Sequence, residues 1–267
     1  MRHKYHRCNP LRRLIFILIA ILVVLCACAV MGNLYLNAKP APGTVEEQVW
    51  LYAKENGFSL RDYPESLISL LKRNPEAEQF VLQYPSAKDN APAIDMKPYL
   101  NTENVPLFLQ WDPRWGYMTY GSDVAGLTGC GPVCLAMAAI YVTDDPAFSP
   151  DNMIRFAAEN NYYVSGSGSS WTLISEGGAQ LGLDVTELPL DEGRIRKALN
   201  ADMPVICAVG TGDFTSTGHF IVITGIQDGK FTVNDPNSQK NSEKLWSYDA
   251  IKDQIRNLWS IGPGNNG

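Results

Sequence analysis

The chain has 267 residues, 45% hydrophobic and 19% charged, with a formal charge of −6. That balance is ordinary for a globular protein and the length allows one good core plus something smaller. Charge is uneven: residues 1–13 hold Arg2, Lys4, Arg7, Arg12 and Arg13 and no acid, so with these five set aside the rest carries −11. An acidic body argues against nucleic acid or an anionic membrane surface as a partner.

Leu14 to Gly32 is an unbroken run of apolar and small residues behind that basic flank. About 20 apolar residues cross a bilayer, and a basic flank stays on the cytoplasmic side. The reading favoured is an uncleaved, single-pass signal anchor over 14–32. It leaves a basic cytoplasmic tail at 1–13 and puts the body outside the cell membrane. Two alternatives also export the body. Ala27-Cys28-Ala29 is a small-x-small cleavage pattern, and Leu25-Cys26-Ala27-Cys28 loosely resembles a lipoprotein box with Cys28 as the lipidated residue.

Next comes a linker and helical stalk over 33–102. Asn33 to Gly43 reads as the linker, its Pro and Gly opposing helix. Thr44-Val45-Glu46-Glu47 has the form of a capping box and starts a helix with Val49, Trp50 and Ala53 at helical spacing. A second helix begins near Pro64. A third begins at Asn74-Pro75-Glu76 and stops before Pro85. The polar stretch from Ser86 to Asn104 marks a domain boundary, with a second domain over 103–267.

That domain reads as short strands and helices in alternation. Strands are expected at Val105–Leu109, Leu183–Leu188, Pro204–Val209, from His219 onward, Lys230–Asn234 and Leu258–Ile261. Helices are expected after Cys130, after Ser149, from Ser169-Ser170 to about Gly182, from Asp191 to Leu199, and from Ser247 to about Arg256. Asp228-Gly229 is a strong hairpin turn. Helices first and antiparallel strands after them give an α+β fold.

Candidate chemistry centres on Gly129-Cys130-Gly131-Pro132, followed by a Leu/Ala/Met-rich run. Pro132 suits the first turn of a helix, so Cys130 sits at its mouth. Unsatisfied N–H groups there favour a thiolate, which is the nucleophilic form. The two glycines let backbone or substrate come close. On its own the stretch fits a buried structural cysteine equally well.

The six cysteines divide evenly, Cys8, Cys26 and Cys28 in the leader and Cys130, Cys134 and Cys207 in the body. An odd number in an oxidising compartment leaves one free thiol and at most one bridge. Cys134 reads as helix packing or as a partner for Cys207, and as a rival nucleophile only if Cys130 is not one. With no CxxC pair or Cys/His cluster, neither a zinc site nor any other cofactor is expected.

Of three histidines, His3 and His6 lie in the leader, so His219 is the one imidazole in the body. It opens an apolar strand at a sheet rim. In the hairpin turning at Asp228-Gly229, residues near 235 return beside it. Neighbouring strand residues face opposite sides, so either Asp235 or Asn234 can orient the imidazole, and Asp235 is preferred. The competing role for Asp235 is an Asx turn before Pro236. Trp111, Trp115, Tyr117, Tyr120, Tyr162, Tyr163 and Trp171 lie near loops and suit either a cleft or the core.

Val105-Pro106, Gln110-Trp111-Asp112-Pro113-Arg114-Trp115, Gly129-Cys130-Gly131-Pro132, Pro204-Val205-Ile206, Gly218-His219-Phe220-Ile221-Val222 and Asn234-Asp235-Pro236 occur in this order. Together they resemble the C39-like group of papain-fold cysteine peptidases over roughly 103–262. The resemblance implies a papain-like fold, with Cys130 as nucleophile, His219 as general base and Asp235 as its orienter. It implies Gln110 as the side-chain donor of an oxyanion hole, beside the Cys130 N–H. A peptide or protein substrate follows, with cell-wall peptide as an alternative and an inactive binding module as another. One departure stands out. Bacteriocin-processing members carry the glutamine a few residues before the cysteine, whereas Val124 holds that place here and Gln110 lies twenty residues upstream. Tyr117 to Thr128 must therefore loop out for Gln110 to reach the cleft. The transporter segments fused to those members are not expected here, so leader-peptide processing is not implied.

Overall fold

A computed structural model describes residues 10–36 and 39–264. Arg2, Lys4, Arg7, His3, His6 and Cys8 of the leader, and Asn37-Ala38 of the expected linker, lie outside the described residues. The chain forms two compact units, residues 1–62 and 63–267.

In the first unit, helix α1 covers Pro10–Leu36. Its window Leu11–Cys28 has a mean hydropathy of 2.7 and none of it is buried. The helix passes the expected linker start at Asn33, because the residues that oppose helix come only at Pro40, Pro42 and Gly43. Helix α2 (Val45–Glu55) starts as the capping pattern predicts: the Glu47 N–H donates to Thr44 Oγ1 at 3.2 Å. The Glu47 carboxylate reaches one residue further back than expected, accepting from the Gly43 N–H at 2.6 Å.

The second unit opens with α3 (Glu65–Arg73) and α4 (Glu78–Leu82). Leu67, Ile68, Leu70 and Leu71 form the buried stripe of α3 at helical spacing. Helical backbone does not stop before Pro85: a short turn, Tyr84–Ala87, takes Pro85 into its first residues, where a missing N–H is tolerated. Phe80 of α4 stacks on Tyr117 with ring centroids 4.4 Å apart, and the Tyr117 hydroxyl donates to Phe80 O at 2.8 Å. The expected boundary over 86–104 thus falls inside the second unit.

Six antiparallel strands make the main sheet: β1 (Asp184–Glu187), β2 (Val205–Val209), β3 (His219–Gln227), β4 (Lys230–Asn234), β5 (Leu245–Trp246) and β6 (Ile255–Gly262). Their spatial order is β1-β6-β2-β3-β4-β5. The turn between β3 and β4 has positive φ at both Asp228 and Gly229, as an Asp-Gly hairpin requires. Helix α5 (Cys130–Thr143) covers one face of the sheet. Every residue of α5 from Cys130 to Ile140 is buried, so it is a core helix and not an amphipathic one. Its Leu135 and Met137 belong to one core with Ile206, Ala208, Phe220, Val222 and Trp259. Helix α6 (Pro150–Glu159) packs against α5. On the other face of the sheet, Ile195 and Leu199 of α7 (Glu192–Leu199) join Val205, Cys207, Val209, Ile221 and Ile223. The alternation along β2 and β3 is the two-residue strand period. This is the expected α+β class.

Three local expectations change. Val105–Leu109 forms no strand, because its carbonyls at Val105 and Pro106 accept from the Asn234 side chain, at 3.1 and 3.0 Å, instead of from a neighbouring strand. The helix capped by Ser247 covers only Tyr248–Ile251, so β6 begins at Ile255 rather than Leu258. Between Ser169 and Gly182 the helix is uneven, with a wide-turn segment at Leu173–Gly177 before Gly178–Gln180.

Candidate active site

Cys130 is the first residue of α5 and directly follows Gly129, which ends the short helical turn Ala125–Thr128. Pro132 lies in the first turn, as expected. The glycines admit protein rather than substrate. A Cβ on Gly131 would lie 2.6 Å from the Ser169 side chain, and one on Gly129 would lie 2.7 Å from the Ala125 carbonyl. Helix start and neighbouring loops are therefore packed close around a thiol that is 9% exposed.

His219 opens β3 opposite Val209 of β2. Its Nε2 donates to Asp235 Oδ1 at 2.7 Å. The Cys130 thiol, which lines the same cleft, also acts on the imidazole in the direction that favours the protonated ring. Burial by itself lowers the proton affinity of this ring. The Asp235 charge and hydrogen bond, joined by the contact with Cys130, outweigh burial and push the His219 pKa up to about 10.

Asp235 follows the last residue of β4 and is 1% exposed. Its Oδ1 also accepts from the Asn237 N–H at 2.9 Å, and its Oδ2 accepts from Asn241 Nδ2 at 2.9 Å. Asn234 faces the other way: beyond Val105 and Pro106 it contacts Met137 Sδ of α5. Between the two alternatives, the strand alternation brings Asp235 to His219 and turns Asn234 away.

A cleft of about 1090 Å³ is lined by Cys130, His219 and Gln110, with Leu70 and Arg73 of α3, Tyr163, and the loop Gly212–Gly218 around them. Residues 102–262 match the Peptidase_C39 like family. The chain belongs to that family. Thirteen chains of solved structure also match. The peptidase domain of Streptococcus ComA, a bifunctional ABC transporter, is 19% identical over 51% of this chain and 92% of its own, with a TM-score of 0.39. A Streptococcus mutans ComA peptidase domain in complex with an inhibitor is 16% identical over 59% and 99%, at 0.37. A Bacillus anthracis protein described as C39-like is 13% identical over 61% and 100%, at 0.36. Comparison with curated proteins returned no match.

Within this C39-like domain, Gln110 returns to the cleft as the departure in spacing required. Residues 117–129 form a small hairpin, Thr119–Tyr120 against Asp123–Val124, followed by the turn Ala125–Thr128, and Ser122, Asp123, Leu127 and Thr128 of this segment line the cleft beside Gln110. Gln110 is 4% exposed, its Nε2 donates to Gly126 O at 2.9 Å, and its backbone N–H donates to Pro236 O at 2.7 Å. The second Nε2 hydrogen has no partner among the described residues, and Oε1 is buried without one.

Cys134 and Cys207 are both free and fully buried, so the bridge considered between them is not formed. Cys134 lies in the core on the α5 face of the sheet and Cys207 in the core on the α7 face. Burial raises both thiols, Cys134 with added repulsion from Cys130 and Asp235. Of the aromatic candidates, Trp115, Tyr117 and Tyr120 are core residues, while Tyr163 lines the cleft. Among the described residues, no group of acids, cysteines and histidine is arranged to hold a metal ion. Asn237 and Asn241 carry no signal in the sequence beyond a polar turn after Asp235-Pro236, which says nothing about which carboxylate they hold.

Proposed function

We propose that this protein is a membrane-anchored cysteine peptidase that hydrolyses peptide bonds outside the cell, with Cys130 as nucleophile, His219 as base and Asp235 as orienter. The observation that carries the reading is that Cys130 and His219 line one cleft while the His219 imidazole is held at 2.7 Å by a buried Asp235. An imidazole whose pKa stands near 10 readily holds the thiol proton. The thiolate attacks the scissile carbonyl carbon. The resulting oxyanion takes hydrogen bonds from the Cys130 N–H at the helix mouth and from Gln110 Nε2. Collapse breaks the C–N bond as His219 gives its proton to the departing amine, leaving a thioester on Cys130. Water then attacks that carbonyl, His219 takes the water proton, and the acid leaves as the thiolate is restored. Each of these steps uses only groups of this chain, the substrate and water.

Helix α1 supports anchoring through its apolar length, and the basic flank before it supports a cytoplasmic N-terminus. The substrate is a peptide or protein, and cell-wall peptide is the class to compare beside a general peptide library. The test is labelling by an activity-based thiol probe together with amide turnover, in the wild type and in Cys130→Ser and His219→Ala. Labelling and turnover should vanish in Cys130→Ser and fall sharply in His219→Ala. Amide turnover that survives the loss of Cys130 would sink the reading. Protease treatment of sealed cells should remove residues 63–267; full protection would overturn the outward placement.

A further inference from the structure

The turn that presents Asp235 is held by residues from outside the family-matched region. Asn74 ends α3 and is 8% exposed. Its Oδ1 accepts from the Glu76 N–H at 3.0 Å and so caps the turn Pro75–Ala77. Its Nδ2 donates to Asn237 O at 2.6 Å. Asn237 in turn donates its N–H to Asp235 Oδ1, the oxygen that accepts from His219. Glu76 works on the next residues. Its Oε1 accepts from Ser238 Oγ at 2.7 Å and its Oε2 from the Lys240 N–H at 3.1 Å. Ser238 Oγ accepts from the Asn241 N–H at 3.1 Å, and the Asn241 side chain donates to Asp235 Oδ2. Each oxygen of Asp235 is thus tied, through one asparagine and the turn that carries it, to the segment 74–76.

A carboxylate that orients an imidazole acts only while its own position is fixed, and a fully satisfied buried network fixes it better than packing alone. The Asp235-Pro236-Asn237-Ser238 turn is held by polar contacts from two sides: Gln110 N–H donates to Pro236 O at 2.7 Å and Trp111 Nε1 to Asn237 O at 3.1 Å, and Asn74 and Glu76 complete the set. The polar bonds to Asn74 and Glu76 bridge more than 160 residues of sequence, and nothing in the local chemistry of either segment requires them. We propose that Asn74 and Glu76 are positioning residues for Asp235, so that the helical segment before the family-matched region belongs to the catalytic apparatus. This rests on the triad reading given above.

The test uses the full chain in detergent, alkylated with iodoacetamide between pH 5 and 10, with the Cys130-containing peptide followed by mass spectrometry. A thiol paired with a well-held imidazolium keeps reacting at low pH, and Asp235→Asn, which weakens that pair, defines the profile of a misplaced triad. Asn74→Asp retains the cap to Glu76 and removes the donor to Asn237. It should lower Cys130 reactivity at pH 6 about tenfold, one pH unit of displacement, with the rate at pH 10 unchanged. Glu76→Ala should do the same, and Glu76→Gln, which keeps an acceptor, should recover most of the low-pH rate. Recovery by Gln separates positioning from the loss of a negative charge. If Asn74→Asp fails to fold by circular dichroism, the Glu76→Ala and Glu76→Gln pair decides. Wild-type profiles in these variants, with the low-pH rate lost in Asp235→Asn, would overturn the positioning role and leave the peptidase reading standing. A wild type already as unreactive at pH 6 as Asp235→Asn would overturn both.

Discussion

His219 Nε2 and Asp235 Oδ1 meet at 2.7 Å, although one residue opens a strand and the other follows the end of its neighbour. The pairing is a product of the Asp228-Gly229 hairpin, which folds sixteen residues back on themselves. Replacing Asp235 by Asn keeps the shape and removes the charge that supports the imidazolium. Asp235→Asn should lower kcat/KM for amide hydrolysis by about a hundredfold to ten-thousandfold. A loss below threefold would show that Asp235 serves the turn and not the reaction.

The raised pKa of His219 has a consequence for stability as well. A histidine near its ordinary value of 6.5 when unfolded and about 10 when folded binds its proton more tightly in the native state. Its stabilisation is complete below the unfolded value and is lost as pH rises through the folded one. The melting temperature should therefore fall between pH 7 and pH 10 by more in the wild type than in His219→Ala. Equal slopes in the two proteins would refute this linkage.

Gln110 is expected to act on the transition state alone. Gln110→Ala should reduce kcat by about a hundredfold to a thousandfold while KM changes little. A rise in KM at constant kcat would assign the side chain to substrate binding instead. The variant also strips the Gly126 carbonyl of its donor, so its folding is best verified by a denaturant melt alongside the kinetics.

Gly131→Ala tests the packing at the helix mouth. The added methyl would meet Ser169 at 2.6 Å, and Ser169 is held by the Tyr120 hydroxyl at 2.8 Å, so it cannot swing aside freely. The cost should be about 1–3 kcal/mol in urea unfolding, with Cys130 reactivity disturbed in the same variant. An unchanged midpoint would mean that Ser169 gives way more easily than its contacts indicate.

Much of the chain is legible in the sequence where a signal is local. Thr44 and Asp191 cap their helices, Asp228-Gly229 turns its hairpin, and the single body histidine falls at the start of the strand that holds it. Cys130 at the head of an apolar helix is of the same kind. The failures have non-local causes. Val105–Leu109 has the composition of a strand, but a side chain from Asn234 takes its carbonyls. Nothing near Asn74 or Glu76 announces that their partners lie at Asn237 and Ser238. Gln110 could be placed only by family likeness, since its approach depends on the path of the intervening hairpin.

The strand order bears on when the site can exist at all. Strand β6 follows the other five in the sequence yet lies between β1 and β2, and its Leu258, Trp259 and Ile261 fill the cores on both faces. A chain made as far as α5 and β3 still lacks a middle strand of its sheet. The core beneath α5 lacks Trp259 and Ile261 until residues 255–262 arrive. A chain that stops before Ile255 should therefore lack the packing that fixes α5 on its sheet, however complete the segments that carry Cys130 and His219 are.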